Sequence, residues 1–176
     1  MPTHAALADK DDWKTWHNSR FAFEICYPAA LFDQSRESPQ RHGIVLESRD
    51  SAMLIAAAIN YPGATLAEPI RMEREKLTHV GLVARGENWF VVSGTRVDQI
   101  LYTKAILAEG RLIAFKLRYP ESLASKYAPL VERMSQCLRT AHNPPSGFFA
   151  NDPAVVRFRK THILQNFTLS LPQTKM

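Results

Sequence analysis

Histidine and cysteine are the residue types in this sequence that most directly suggest metal or nucleophile chemistry. The two cysteines, Cys26 and Cys137, are too few to form a structural zinc centre by themselves. No histidine has a second histidine at the HxH or HExxH spacing that places two imidazoles on one metal. Local spacing therefore predicts no metal site. The six histidines are His4, His17, His42, His79, His142 and His162.

Nucleophile and phosphate motifs are also missing. Ser93 follows Val92 and lacks the first glycine of a GxSxG nucleophile elbow. Cys26 has no neighbouring base or helix N-terminus to stabilise a thiolate. The seven glycines form neither a dinucleotide-binding pattern nor a P-loop. We therefore predict no cofactor and no enzyme activity. An enzyme or a metal-binding protein would need groups from distant segments to meet in one pocket.

The same two cysteines bear on the compartment. Cys26 lies in a strand-like segment and Cys137 on the apolar stripe of the last predicted helix. In an oxidising compartment they could form a disulfide that closes a long loop, which would contribute about 3–5 kcal/mol. The alternative is two separate core cysteines that act as small apolar side chains. Sequence spacing does not choose between them, because a disulfide depends on geometry.

The net charge of +5 is unevenly distributed. Residues 144–176 carry four basic side chains and one acidic side chain, so this tail holds three of the five net charges. Nucleic-acid-binding proteins usually cluster lysine and arginine on one face with aromatic residues between them, and no such cluster appears. We therefore expect a protein partner and no nucleic acid. The tail residues suited to a partner contact are Phe148, Phe149, Arg157, Arg159 and Lys160.

The N-terminal residues contain a feature of exported proteins. Ala6-Leu7-Ala8 places small residues where signal peptidase requires them, although no charged or apolar region precedes it. The longest apolar run, residues 52–59, is far shorter than the ~20 residues of a membrane span. We therefore expect a periplasmic or secreted protein without a transmembrane segment. A cytoplasmic location is the alternative.

Apolar alternation predicts the strands. Residues 20–28 alternate cleanly, and residues 42–48 and 52–60 form a hairpin whose strands are apolar on both faces. That composition indicates a sheet covered on each side. Residues 9–19 and 29–40 lack a periodic pattern and are predicted to be irregular.

Two helices are predicted. Thr65 and Glu68 have the spacing of a capping box, and helical periodicity then continues to Gly81, a natural C-terminal cap. The charged side chains of this first helix are expected to be solvated. The second helix carries an apolar stripe and is predicted to begin near Ala128 or Pro129, after a turn.

A three-strand meander lies between the helices. Residues 88–95 predict a central strand, after a short connection or edge strand over 82–87. Residues 97–107 and 111–119 predict a hairpin that turns at a glycine, Gly110. The fold class is therefore α+β, with an antiparallel sheet of about six strands flanked by helices.

This order carries a resemblance to a known superfamily. The segments FAFEICYP, GENWFVVSG, GRLIAFKLRYP and YAPLVERMSQCL resemble the PsbP-like α/β/α sandwich, and most of all the small bacterial exported proteins of the DcrB type. The resemblance covers about residues 13–139. It implies a role in binding or assembly and provides no shared catalytic residues. The expected organisation is a leader at 1–12, a PsbP-like domain at 13–143 and a basic extension at 144–176.

Four residues of the meander form a candidate partner surface. Lys116 and Arg118 share one strand face, and Tyr102 and Lys104 lie on the neighbouring strand. If the hairpin register places all four on one face, they form a cationic, aromatic surface for an acidic partner. A shift of one residue would separate the two pairs. The alternative is that the basic stems cover the sheet while their charges stay in water.

These observations predict a non-enzymatic periplasmic binding or accessory protein that acts through a protein partner. The alternative is a cytoplasmic chaperone or adaptor of the same fold, which shields an apolar segment of a secreted effector. That alternative predicts a concave apolar surface and reduced cysteines.

Overall fold

The computed structural model describes residues 12–63 and 65–140. Within these ranges the chain forms ten strands, two α-helices and one 3₁₀ turn at Glu121–Leu123. In chain order the elements are β1 (Trp13–Asn18), β2 (Phe23–Pro28), β3 (Gln34–Glu37), β4 (Gly43–Glu47), β5 (Met53–Asn60), α1 (Ala67–Glu75), β6 (His79–Arg85), β7 (Trp89–Arg96), β8 (Gln99–Ala108), β9 (Arg111–Pro120), α2 (Ala124–Cys137) and β10 (Arg139–Thr140).

Seven strands form one antiparallel sheet in the order β3-β4-β5-β9-β8-β7-β6. β9 is central because it pairs with β5 on one side and with β8 on the other. The β8–β9 hairpin turns at Glu109 and Gly110, with φ angles of 51° and 71°. Both residues of such a tight turn need positive φ, and glycine adopts it without steric cost. The α+β class with an antiparallel sheet and flanking helices is confirmed.

One face of this main sheet, here the covered face, is buried by two elements. β1, β2 and β10 form a separate antiparallel sheet in the order β1-β2-β10. Phe23 and Ile25 of β2 join a buried cluster with Tyr127 and Met134 of α2 and Phe115 of β9. Each of these side chains is at most 3% exposed. The small sheet and α2 therefore share the cover of one face and form the main core.

The opposite face, here the second face, has less cover. Leu66 and Ile70, at the start of α1, pack on Phe90 and Val92 of β7 and Ala105 of β8 in a smaller buried cluster. α1 therefore lies over β7 and β8. In the part of the chain that the structure describes, no helix lies over β4 and β5 on this face, and α1 reaches β9 where Glu73 bonds Lys116. For β4 and β5 the expectation that both faces are covered stays a prediction, since residues 12–63 and 65–140 supply no helix there.

Two segments predicted to be irregular contain strands. Trp13–Asn18 pairs along its whole length with β2, and Gln34–Glu37 pairs with β4. The first was missed because its half-buried tryptophans, Trp13 and Trp16, are three residues apart and break the period of two. The second is an edge strand whose four side chains are all exposed, so backbone pairing alone defines it.

The first helix is shorter than predicted. α1 ends at Glu75, residues 76–78 form a short turn, and His79–Gly81, expected to finish the helix, belong instead to edge strand β6. Thr65 does not cap the helix: Leu66 occupies the N-cap position, and no side chain bonds the free backbone N–H groups there. The spacing of Leu77 and Val80 favours a helix, but residues 79–85 pair with β7 instead, with an irregularity in the ladder between Val80 and Leu82.

The second helix is longer than predicted. α2 begins at Ala124 and contains Pro129, which removes one backbone hydrogen bond from the helix. Tyr127, Val131 and Met134 are completely buried on the same helix, and their packing offsets that loss. Neither helix in residues 12–63 and 65–140 has the length and apolar character to cross a bilayer.

The β4–β5 turn is fastened to α2 through Asp50. One carboxylate oxygen accepts hydrogen bonds from the hydroxyls of Tyr127 and Ser48, each at 2.5 Å, and the other accepts one from Lys126 Nζ at 2.5 Å. Partial burial raises the pKa of Asp50, but these bonds outweigh it and lower the pKa from 3.8 to about 2. The ionised carboxylate therefore stabilises the folded state.

This pKa shift predicts a pH dependence of stability. The free energy contributed by Asp50, about 2 kcal/mol once solvent screening of this partly exposed carboxylate is allowed for, is fully present well above the unfolded pKa near 3.8 and is lost as the pH falls through about 2. We expect Asp50→Asn to lower the free energy of unfolding by about 2 kcal/mol at pH 7 and by about half as much at pH 3. Urea unfolding at both pH values measures this. Equal losses at the two pH values would contradict the role of the charge.

Candidate binding surface

The β8–β9 register decides which predicted surface residues share a face. Thr103 lies directly opposite Lys116, so Lys116 and Arg118 are on the second face with Thr103. Tyr102 and Lys104 flank Thr103 on the same strand, and side chains alternate along a strand, so both lie on the covered face. The expectation of one surface made by all four residues is therefore wrong, because the hairpin separates the two pairs.

Tyr102 and Lys104 are buried beneath α2. Their exposed fractions are 3% and 1%. Lys104 Nζ donates a hydrogen bond to the Ser135 carbonyl at 2.7 Å, and the Tyr102 hydroxyl donates one to Ser135 Oγ at 3.1 Å. A buried ammonium is costly unless it is hydrogen-bonded, and the last turn of a helix offers carbonyl acceptors. These two side chains therefore hold α2 on the sheet.

Lys116 belongs to a polar cluster centred on Glu73 of α1. Glu73 accepts hydrogen bonds from Lys116 Nζ at 2.5 Å, Lys76 Nζ at 2.7 Å and Thr103 Oγ1 at 3.0 Å. Partial burial raises the pKa of Glu73, but the hydrogen bonds and charges of the two lysines outweigh burial. The pKa of Glu73 therefore lies below its ordinary value. Burial also lowers the pKa of Lys116, more than Glu73 raises it. The cluster fixes the end of α1 on β8 and β9.

An open cleft with a volume of about 120 Å³ lies beside this cluster. Glu73 is the one carboxylate among the residues that line it, whereas Lys76, Lys116 and Arg118 are cationic. Two positive charges therefore remain uncompensated within the lining. Met53, Ile55 and Leu101 provide the apolar part of the lining. The cleft suits an anionic group that is attached to an apolar one.

An apolar surface continues from the cleft along the part of the second face that no element of residues 12–63 and 65–140 covers. Opposite pairs of the β4–β5 and β5–β9 ladders place these side chains on one surface, here called the open strip. Ile59 is 52% exposed and the other members are half-buried, with Leu112 and Ala114 also packed against the smaller cluster beneath α1. Among residues 12–63 and 65–140 no element covers Ile55 and Ile59, and contiguous apolar side chains that face outward are candidates for a binding surface. The open strip consists of Val45, Met53, Ile55, Ala57, Ile59, Leu112 and Ala114.

The helix α1 forms one wall of the open strip. Lys76 lines the cleft together with residues of β5 and β9, so this side of α1 faces the strip. Met72 lies one helical turn before Lys76 on the same side and is 50% exposed. Met72 therefore adds a large apolar side chain at the edge of the strip.

The two cysteines meet on the covered side of the molecule. Cys26 of β2 and Cys137, the last residue of α2, are joined by a disulfide with a Cα–Cα distance of 5.5 Å. The bond connects residues 111 positions apart in the chain. It links the small sheet to α2, which are the two elements that cover the same face. A loop of this length gives a large entropic stabilisation, about 4–5 kcal/mol on a chain-entropy account.

The remaining candidate residues are not assembled into a site. Within the described ranges, no group of three histidine, cysteine, aspartate or glutamate side chains is placed to hold a metal ion. The tail residues Phe148, Phe149, Arg157, Arg159 and Lys160 lie outside the described residues, so their predicted partner contact stays a prediction.

Comparison with solved structures identifies the architecture. The chain is similar to the solution structure of cyanobacterial PsbP (CyanoP) from Synechocystis sp. PCC 6803, with a TM-score of 0.55 and 12% identity over 80% of this chain and 97% of that one. The chain has a PsbP-like fold. It is also similar to LpqN, involved in cell envelope biogenesis of Mycobacterium tuberculosis, with a TM-score of 0.40 and 14% identity over 72% of this chain and 88% of that one.

The comparisons confirm the predicted PsbP-like resemblance at the level of the fold. No protein-family model matches the sequence, and no curated protein matches it. The narrower likeness to DcrB-type proteins and the domain boundaries at 13 and 143 stay predictions.

Sequence reasoning missed two features of this PsbP-like fold. Glu73 was grouped with solvated charges, although it lies three residues after Ile70 and four before Leu77, on the buried stripe of α1. That spacing was a usable signal. The open strip left no comparable signal, because a strand that is apolar on both faces looks the same whether one face is covered or bare.

The corrected register predicts opposite behaviour for two basic residues. Lys104→Ala should lower the free energy of unfolding by about 3 kcal/mol, because it leaves a cavity and an unpaired carbonyl under α2. Arg118→Ala should change it by no more than about 0.5 kcal/mol, since that side chain is exposed. Urea unfolding of both variants measures the difference. Similar losses in the two variants would contradict the assignment of Tyr102 and Lys104 to the covered face.

Proposed function

We propose that this is an exported, non-enzymatic binding or accessory protein that acts through a protein partner. The observation that carries the proposal is the open strip, a continuous apolar surface beside a cationic cleft. Apolar side chains gain free energy when a partner removes them from water, at about 25 cal/mol per Å² of buried area. Half-exposed side chains such as Ile59 and Met72 are therefore suited to burial by a second molecule.

The shape of the surface favours a macromolecule over a small molecule. Pockets for small ligands usually enclose about 300–1,000 Å³ and surround most of the ligand. The cleft of about 120 Å³ is smaller and open to one side. The strip beyond it spans three strands, and among residues 12–63 and 65–140 only α1 forms a wall beside it. A partner with an extended apolar surface of its own fits this shape better.

The disulfide supports the proposal of export. Disulfides between buried elements form and persist in oxidising compartments and are rare in the reducing cytosol. Here the bond links the two covers of the main core, Cys26 on β2 and Cys137 on α2. The Ala6-Leu7-Ala8 sequence agrees with export but lies outside the described residues. The PsbP-like fold is compatible with a binding role, although a fold alone does not select a partner.

A cytoplasmic chaperone or adaptor is the second candidate, and the open strip favours it as well. Such a protein would also present an apolar surface, in that case to a segment of a secreted effector. The two candidates differ in the compartment and hence in the state of Cys26 and Cys137. Thiol chemistry therefore separates them.

The thiol state of the protein in its native host is the experiment that separates them. Cells are lysed with an alkylating reagent and denaturant but no reductant, and the intact mass of the full chain is measured. We expect no alkylated cysteine and a mass lower by two hydrogen atoms than that of the reduced chain. A parallel sample reduced before alkylation should carry two labels. Two labels in the unreduced sample would contradict export and place the cytoplasmic candidate first.

A further inference from the structure

The open strip has room for one helix beside α1. α1 lies over β7 and β8 and reaches β9 at Lys116, and adjacent strands are about 4.8 Å apart, so β5 lies roughly 10 Å from β8. Two packed helices have axes about 8–10 Å apart. A second helix placed over β5 and β4 would therefore contact the sheet below it and the Met72 side of α1 at the same time.

The sizes of the side chains along the strip also suit a packed helix. Gly43, Ala57 and Ala114 stand opposite one another on β4, β5 and β9, so no group larger than a methyl projects from this row. Larger apolar side chains, Ile55 on one side and Ile59 on the other, border this row. Small residues let a helix approach the sheet closely, while the larger ones provide apolar contact area.

The positive charges at the cleft indicate which polar side chain a docked helix would carry there. Lys116 and Lys76 bond Glu73, whereas Arg118 has, among its described contacts, the Met53 sulphur at 3.9 Å. A thioether is a weak acceptor, so Arg118 has donors to offer a stronger one. A carboxylate placed in the cleft would meet Arg118 and the remaining N–H groups of the two lysines. A basic side chain at this position would be repelled.

We propose that the open strip docks an amphipathic helix of a protein partner, with an acidic side chain of that helix in the cleft beside Arg118. The apolar stripe of the helix covers Ile55, Ile59 and Met72. This inference rests on the proposed binding function and adds the chemistry of the partner. Eight-residue β5 extends for about 27 Å, which equals the length of a helix of about 18 residues.

Synthetic helices test this directly on the full-length, oxidised protein. The probe is a helical peptide with a leucine stripe at i, i+3, i+4 and i+7 and glutamates along one flank. A second peptide replaces the glutamates by lysines, and a third scrambles the first so that no stripe remains. Methyl NMR follows isoleucine, methionine and valine signals during titration. We expect the Leu/Glu peptide to shift Ile55, Ile59 and Met72 while leaving Val83, on edge strand β6, unchanged.

Charge variants sharpen the test. Arg118→Glu should weaken binding of the Leu/Glu peptide about fivefold and strengthen binding of the Leu/Lys peptide, because it reverses the charge at the cleft. Arg85→Glu, an equally exposed change on β6, is the matched control and should alter neither affinity. Ile59→Glu should weaken both peptides, since it places a charge on the apolar floor. Native methyl spectra establish that each variant is folded.

Three results would overturn the inference. Equal affinity for the striped and scrambled peptides would show non-specific adhesion. Concentration-dependent shifts of Ile55 and Ile59 without peptide would identify a second copy of this chain as the occupant. The same shifts on addition of phosphatidylglycerol vesicles, with no peptide binding, would identify an anionic membrane. The thiol state in the host is measured separately. If the disulfide is intact but no peptide binds, the proposed helix docking is wrong and the proposed export is unaffected.

Discussion

The packing of two separate elements on one face of the main sheet is the constraint on which the rest of the structure depends. α2 and the small sheet each bury only part of that face, so neither completes the core alone. The disulfide between Cys26 and Cys137 joins them directly. Asp50 ties α2 to the β4–β5 turn at the other end of the helix. On the other face, the short helix α1 is the one helix that the described residues provide, and it packs mainly on β7 and β8.

Most of the fold could be predicted because each large element has its own periodic signal. The β8–β9 hairpin combines clean alternation with a glycine at the turn, and its bounds follow closely from these residues. The elements that were missed lack a local signal. β1 and β3 are defined by pairing with β2 and β4. The end of α1 is defined by the pairing of the residues after it with β7. Such long-range pairing is not encoded in any single window of sequence.

The binding surface could be predicted only in part, for a different physical reason. Residue types identified Lys116 and Arg118 as cationic surface residues, but the face of every residue in a hairpin depends on its register. In the observed register Lys116 lies opposite Thr103 and not opposite Lys104. Lys104 is therefore buried beneath α2, whereas Lys116 lies beside the cleft on the other face. The open strip depends on which elements happen to cover a sheet that is apolar on both sides. Which face is covered depends on tertiary packing, which the local sequence of a strand does not determine.

The most direct test of the proposed partner contact on the open strip is hydroxyl-radical footprinting of the full-length protein, both purified and in intact cells of its host. The account predicts that Ile59 and Met72 are labelled in the purified, oxidised protein and protected in cells. Val83, exposed on β6 beyond α1, should be labelled in both samples. Equal labelling of Ile59 and Met72 in the two samples, or their protection already in the purified protein, would contradict a partner on the open strip.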